Sequence, residues 1–190
     1  MKITNTVKTI KLLAILFISA LTFTACSEDD HDDHDDHDHE EELITTVNYT
    51  LTNGGDIVTL SFKDLDGEGG NEGTYAVSGS LKANTTYTGA IELLNETESP
   101  AEDMTEEIKE EDDEHEFFFT SSVSGLTISK TDEDGNGNPL GLETSLTSGA
   151  AGSGSITVVL KHEPTKPNDG TSASAGGSTD VEVTFDVTVE

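Results

Sequence analysis

Apolar and polar residues alternate in short runs from Leu43 onward, a pattern typical of strands with one buried face. The clearest run is 180–189, where five apolar residues, four of them valine, occupy every second position. The same alternation predicts eight further strands, at 47–51, 58–62, 74–81, 86–94, 116–120, 126–131, 142–147 and 155–162. Glycine, asparagine and aspartate between these runs favour turns, most clearly at 53–56. We therefore expect an all-β fold from residue 43 onward.

About nine short strands joined by Gly-rich turns favour an antiparallel β-sandwich, and this architecture resembles that of immunoglobulin-like domains. The resemblance is one of architecture only. The chain has one cysteine and no tryptophan, so it lacks the Cys…Trp…Cys core of antibody domains. Residues 163–179 carry no apolar period and contain two prolines and three glycines. They are predicted to form a long surface loop.

One short acidic helix is predicted to interrupt the strands near residue 100. Ser99 is suited to cap it, and Glu102 completes a capping box. If the helix extends to residue 115, three potential ligands share one of its faces: Glu107, Glu111 and His115. These side chains are a second candidate metal site. The alternative is a solvated acidic face whose like charges make the helix fray.

The first 25 residues have the character of a signal peptide. Lysines precede an apolar stretch at 12–23 that is too short for a comfortable membrane span in the mature protein. The segment ends at Ala25-Cys26, and small residues before a lone cysteine resemble the lipobox of bacterial lipoproteins. This resemblance implies that Cys26 is lipidated and that its lipid anchors the protein to a membrane. The alternative is an ordinary signal peptide next to a buried cysteine.

The residues after the lipobox extend this resemblance. Residues 26–30, Cys-Ser-Glu-Asp-Asp, resemble the acidic export signal that takes lipoproteins of Bacteroidota to the cell surface. With a His-rich acidic leader and a small all-β body, the chain resembles flavobacterial and other Bacteroidota surface lipoproteins. That resemblance implies a lipid-anchored, outer-membrane location and a TonB-dependent receptor as partner in metal or nutrient uptake. Some such lipoproteins carry the label type 1 periplasmic binding fold, a two-domain α/β structure that this strand pattern does not support.

The segment that follows the lipidation site is unusually rich in metal ligands. Residues 28–42 consist only of aspartate, glutamate and histidine, so 26–42 is predicted to be a disordered tether. Neutral imidazole is a preferred ligand of Zn²⁺, Cu²⁺ and Ni²⁺, and carboxylates can complete the coordination shell. The candidate ligands are His31, His34, His37, His39, Asp35 and Asp38. Zinc is the leading metal, and the alternative is an inert, self-repelling spacer.

A different cation is indicated by 132–143, which matches the D-x-[DN]-x-[DN]-G-x₅-E pattern of EF-hand calcium loops. Its oxygen ligands would be Asp132, Asp134, Asn136 and Glu143. A strand rather than a helix is predicted before the loop, and Pro139 lies inside it, so a simple hairpin loop is favoured. The calcium site belongs to an alternative function, that of an immunoglobulin-like adhesion or glycan-binding module.

Charge and motifs exclude several functions. The chain has 39 acidic and 9 basic residues and a net charge of −30, which argues against binding nucleic acid. A single cysteine excludes an intrachain disulfide and a multi-cysteine zinc site. No nucleophile is paired locally with a base, so no enzymatic activity is predicted. His115 and His162 lie at predicted strand ends and could meet on a sandwich, but the sequence alone does not place them together.

The predicted organisation is a lipoprotein signal peptide at 1–25, a tether at 26–42 and a β-sandwich domain at 43–190. The predicted function is that of a membrane-anchored lipoprotein that binds a divalent transition metal.

Overall fold

The structure is a computed structural model that describes residues 43–67, 70–97 and 99–190. Over these residues the chain forms ten strands and two short helices. The strands are β1 (Thr46–Asn53), β2 (Asp56–Lys63), β3 (Thr74–Val77), β4 (Thr86–Asn95), β5 (Glu102–Asp103), β6 (His115–Ser121), β7 (Thr127–Lys130), β8 (Glu143–Thr147), β9 (Gly152–His162) and β10 (Ser178–Val189). The helices are α1 (Met104–Glu110) and α2 (Ser172–Ala175).

The strands pair antiparallel in two sheets. The larger sheet has the order β3-β2-β1-β4-β8-β7, and β5 pairs with β4 beside this path. The smaller sheet has the order β10-β9-β6, so β9 is its central strand. The prediction of an all-β, antiparallel sandwich with one short acidic helix is confirmed.

The inward faces of the two sheets share one apolar core. Tyr49 on β1 and Phe119 on β6 contact each other across the sheets, with ring centroids 5.6 Å apart. The alternation along β10 buries every second side chain from Val181 to Val189 in this core. Full burial of such a side chain contributes roughly 1.5–3 kcal/mol, so the period-two pattern supplies most of the drive to form the sandwich.

Part of the opposite face of the smaller sheet is covered by the segment between β9 and β10. That segment is irregular, as predicted, apart from the single turn of α2. Ala175 on α2 is fully buried in a small separate cluster with Phe118 of β6 and Val159 of β9. The three-stranded sheet is therefore buried on both faces around Phe118 and Val159, whereas the outward side chains of β10 from Glu182 to Thr188 are exposed. Neither helix of the described residues has the length and apolar character needed to cross a lipid bilayer.

Helix α1 begins later than its sequence indicates. Its N-cap is Asp103, whose carboxylate accepts a hydrogen bond from the amide of Thr105 at 3.0 Å. Glu102 and Asp103 also form β5, which pairs with β4. The predicted capping box at 99–102 is therefore wrong, because pairing with β4 keeps Glu102 in an extended conformation. Met104 and Ile108, one helical turn apart, are buried beneath the helix.

Candidate metal centre

Two histidines meet at one end of the smaller sheet. His115 is the first residue of β6 and His162 the last residue of β9, and the register places them directly opposite each other. Their rings stack with centroids 4.8 Å apart and planes inclined by 22°. Phe117 and Leu160, two residues further in, form the next inward-facing pair of the same ladder. The pair of imidazoles therefore continues the apolar face of the sheet to its end.

A bulge in β10 brings a carboxylate to this pair. Thr179 lies opposite Lys161 and Val181 opposite Leu160, so Asp180 is the extra residue of the bulge. Such a bulge redirects a side chain that strict alternation would place on the other face. The Asp180 side chain is 2 % exposed, and its Oδ2 lies 4.0 Å from Nε2 of His115.

The proton on His115 is fixed by a backbone carbonyl. Nδ1 of His115 lies 3.1 Å from the carbonyl oxygen of Glu111, which can only accept a hydrogen bond. Nδ1–H is therefore the donor, and Nε2 is the ring nitrogen that faces Asp180. Metal-ligating histidines commonly donate their second N–H in this way, because it orients the ring and fixes the tautomer.

Two further carboxylates lie on the outer side of His162. Oε2 of Glu114 is 3.7 Å from Nε2 of His162, and the Glu114 side chain is 43 % exposed. Glu163 follows His162 directly in the chain and is exposed. Its amide donates a hydrogen bond to the carbonyl of Glu114 at 2.6 Å. Ligand atoms of Glu114, His162 and Glu163 all lie within 4.8 Å of one another.

The donor atoms of the inner group suit a divalent transition metal in their chemistry. His115, His162 and Asp180 offer two nitrogens and one oxygen, all within 4.8 Å of one another. Imidazole nitrogen suits Zn²⁺, Cu²⁺, Ni²⁺ and Fe²⁺, whereas Ca²⁺ and Mg²⁺ take oxygen ligands. Bonds of about 2.0–2.2 Å in a tetrahedron separate the ligand atoms by about 3.3–3.6 Å. The distance of 4.0 Å between Nε2 of His115 and Oδ2 of Asp180 exceeds this separation by roughly 0.5 Å. A small side-chain rotation would bring the two atoms to the shorter distance.

The structure does not assemble the helical set Glu107, Glu111 and His115. Helix α1 ends at Glu110, Glu111 is its C-cap, and His115 already belongs to β6. Anionic side chains crowd the C-terminal end of α1, where the helix dipole disfavours them, so the helix does not extend to residue 115. The expectation of one shared helical face is wrong. Glu111 contributes to the site through its carbonyl oxygen, and His115 through its place in the sheet.

The loop at 132–143 is a hairpin connection between β7 and β8. Asp134 is buried, and its Oδ1 accepts hydrogen bonds from the amides of Asn136 (2.9 Å) and Asn138 (2.7 Å). Its Oδ2 lies 3.1 Å from Nζ of Lys166. Burial alone would raise the pKa of Asp134, but the hydrogen bonds from Asn138 and Lys166 outweigh it and lower the pKa to about 2. An ammonium group thus contacts one of the carboxylate oxygens that the calcium hypothesis assigns to the metal ion.

The remaining calcium candidates do not converge on Asp134. Asp132 accepts a hydrogen bond from the amide of Gly141 at 2.8 Å, and Glu143 is exposed at the start of β8. Asn136 is exposed as well. Among the described residues, no cluster of side chains spaced to hold a metal ion includes Asp132, Asp134 or Glu143. The geometry is that of the hairpin alternative, in which aspartate and asparagine satisfy turn amides.

Several predicted residues lie outside the described part of the chain. These are the lipidation site Cys26 and the tether ligands His31, His34, His37, His39, Asp35 and Asp38. Sequence reasoning did not include His162, Asp180, Glu114 or Glu163 among the candidate ligands. The signal for His162 was present, since it lies two residues beyond Leu160 and thus on the inward face of its strand.

Comparison of the chain with protein-family models, with curated proteins and with solved structures finds no match. The case for function therefore depends on the site itself.

Proposed function

We propose that the protein is a membrane-anchored lipoprotein that binds a divalent transition metal ion, with zinc the first candidate. One binding site is the inner group of His115, His162 and Asp180. The His-rich tether supplies further, weaker sites. The observation that carries the proposal is the buried, mixed nitrogen and oxygen donor set at the end of the smaller sheet.

The burial of these side chains supports a ligand role over a purely structural one. His115 is fully buried, and the Asp180 side chain is 2 % exposed. Removing ionisable groups from water is costly, and apolar side chains at the same strand ends would extend the core without this cost. A bound cation offsets the cost, because it coordinates the nitrogen and oxygen lone pairs directly.

The predicted location agrees with this role. A lipid on Cys26 would hold the protein at the outer membrane, and the strong excess of acidic residues would keep the domain away from anionic headgroups. The same charge raises the local concentration of cations around the protein. In this proposal the protein passes its ion to a TonB-dependent receptor and catalyses no reaction.

Calorimetric titration with Zn²⁺ tests the proposal on the full chain purified in detergent. One variant replaces the four tether histidines by asparagine, so that binding by the domain is measured alone. In that background Asp180→Asn removes the carboxylate ligand. Asp186→Asn is the matched control, because it makes the same change at an exposed position of the same strand.

The tether variant is expected to retain one tight zinc site per chain. Asp180→Asn is expected to weaken that site by about 100-fold or more, beyond the 10–100-fold loss typical of second-sphere partners. Asp186→Asn is expected to leave it unchanged. Equal zinc affinity in the Asp180 and Asp186 variants would reject the inner group as the site. No zinc binding by the unmodified chain at mildly alkaline pH would reject the function as a whole.

A further inference from the structure

His162 belongs to two groups of potential ligands at once. It completes the inner group with His115 and Asp180, and it completes an outer group with Glu114 and Glu163. In each group the ligand atoms lie within 4.8 Å of one another. The two groups are therefore adjacent positions for one cation, joined by a common imidazole.

The exposure of these side chains increases in one direction. His115 is fully buried, the His162 side chain is 8 % exposed and the Glu114 side chain 43 % exposed. Glu163 is exposed as well. An ion that approaches from solvent on this side meets the two carboxylates first, then the shared imidazole, and the inner group last.

The outer group is held in place by the backbone. Glu163 has a φ of +51°, in the left-handed region that non-glycine residues adopt at a cost. Its amide bonds to the carbonyl of Glu114, which ties the ends of β6 and β9 together. Gly177 packs against this turn so closely that a Cβ there would lie 2.1 Å from the carbonyl oxygen of His162. The position of Glu163 is thus fixed by the fold.

We propose that Glu114 and Glu163 form an outer capture position, from which a divalent cation passes by way of His162 to the inner group. This inference rests on the proposed metal-binding function. Carboxylates replace the first waters of the hydrated ion at the surface, and His162 stays coordinated while the remaining ligands are exchanged. A shared ligand lowers the barrier to passage in both directions. It therefore changes the rates of binding and release more than the affinity.

The test measures both rates with Co²⁺ in the full chain that carries the asparagine-substituted tether. Stopped-flow absorbance follows Co²⁺ binding, and mixing with excess chelator follows its release. The test variant is E114Q/E163Q. The matched control, E133Q/E182Q, removes the same two charges at exposed positions outside both groups. Thermal unfolding of each variant verifies that the fold is retained.

In E114Q/E163Q both rate constants are expected to fall by about tenfold, at the low end of the effect of charged clefts on association rates. The dissociation constant is expected to change less than about threefold, and the control to match the unmodified rates. Unchanged rates would overturn the inference and favour access past Asp180, which borders a cavity of about 710 Å³. Faster release with weaker affinity would also overturn it, because the carboxylates would then be permanent ligands.

These outcomes are distinct from failure of the proposed function. If Co²⁺ and Zn²⁺ binding persists and depends on Asp180, unchanged rates in E114Q/E163Q reject the capture position alone. If neither metal binds in an Asp180-dependent manner, the inner group is not a metal site, and the capture position is rejected with it.

Discussion

Replacing Lys166 by methionine is expected to destabilise the fold by about 2–4 kcal/mol, because it leaves the buried carboxylate of Asp134 without its counter-ion. The Lys166 side chain is 6 % exposed and that of Asp134 fully buried. Nζ of Lys166 also donates a hydrogen bond to the carbonyl of Asp112 at 2.7 Å. The substitution therefore removes two hydrogen bonds, of which the one to Asp134 in the β7–β8 loop is also the ion pair.

The size of this effect follows from what remains around Asp134. Removing one partner of a buried ion pair typically costs 3–5 kcal/mol. The amides of Asn136 and Asn138 still donate to Oδ1 in the variant, and this lowers the expected cost. A hydrogen bond to a charged group contributes about 1.5–3 kcal/mol. The loss of the bond between Lys166 and Asp134 alone therefore sets the lower end of the expected destabilisation.

Urea unfolding at pH 7, followed by circular dichroism, gives the free energy of each variant. A double-mutant cycle with Asp134→Asn isolates the pair, and its coupling energy is expected to be about 1–3 kcal/mol. Lys82→Met is the matched control, since Lys82 forms an ion pair with Asp56 in which both side chains are well exposed. A loss in Lys166→Met no larger than that in Lys82→Met would refute the reasoning. Additive effects of the two substitutions in the double-mutant cycle would refute it as well.

Other outcomes are expected from the same structure. The unmodified chain should be more stable than Asp134→Asn by its full amount above pH 4, and this difference should shrink as the pH falls toward 2. The reason is that the folded-state pKa of Asp134 is lowered to about 2. A difference that stays constant in urea titrations at acid pH would contradict this. Calcium should leave the melting temperature unchanged, whereas a rise that Asp134→Asn abolishes would support the calcium alternative. Tyr49→Phe should cost about 1–2 kcal/mol by urea unfolding, since it leaves the buried Thr144 hydroxyl without its 2.7 Å partner; Y49F/T144V should recover part of this loss. Gly177→Ala should destabilise the fold and weaken zinc binding more than Gly176→Ala, because both glycines have positive φ but only Gly177 is in close contact; equal effects would show that the contact is unimportant.

The strands were predictable because one buried face imposes a period of two that needs no knowledge of the partner strand. The run from Val181 to Val189 shows this most clearly, since every apolar residue in it is buried. The start of α1 was not predictable in the same way. Ser99 and Glu102 have the residue types of a capping box, but Glu102 pairs with β4, and a local motif carries no information about such pairing.

Only the two histidines of the candidate site could be predicted from the sequence to face inward. His115 precedes Phe117 by two residues and His162 follows Leu160 by two, so alternation alone directs both imidazoles inward. It cannot reveal that β6 and β9 are neighbours, because that depends on packing between residues nearly fifty positions apart. For Asp180 alternation gives the opposite answer, since it places this carboxylate on the outer face with Glu182. Only the register shift in β10 turns it toward the histidines.

The bulge at Asp180 is needed for the proposed metal site but not for the fold of the sheet. A chain from which this one residue is deleted would restore an unbroken ladder between β9 and β10 and would keep the inward valines in place. The shortened chain would lose the carboxylate of the inner group but would keep all of its strands. An added residue at this point of the last strand is therefore a more specific marker of the proposed metal site than the two histidines are.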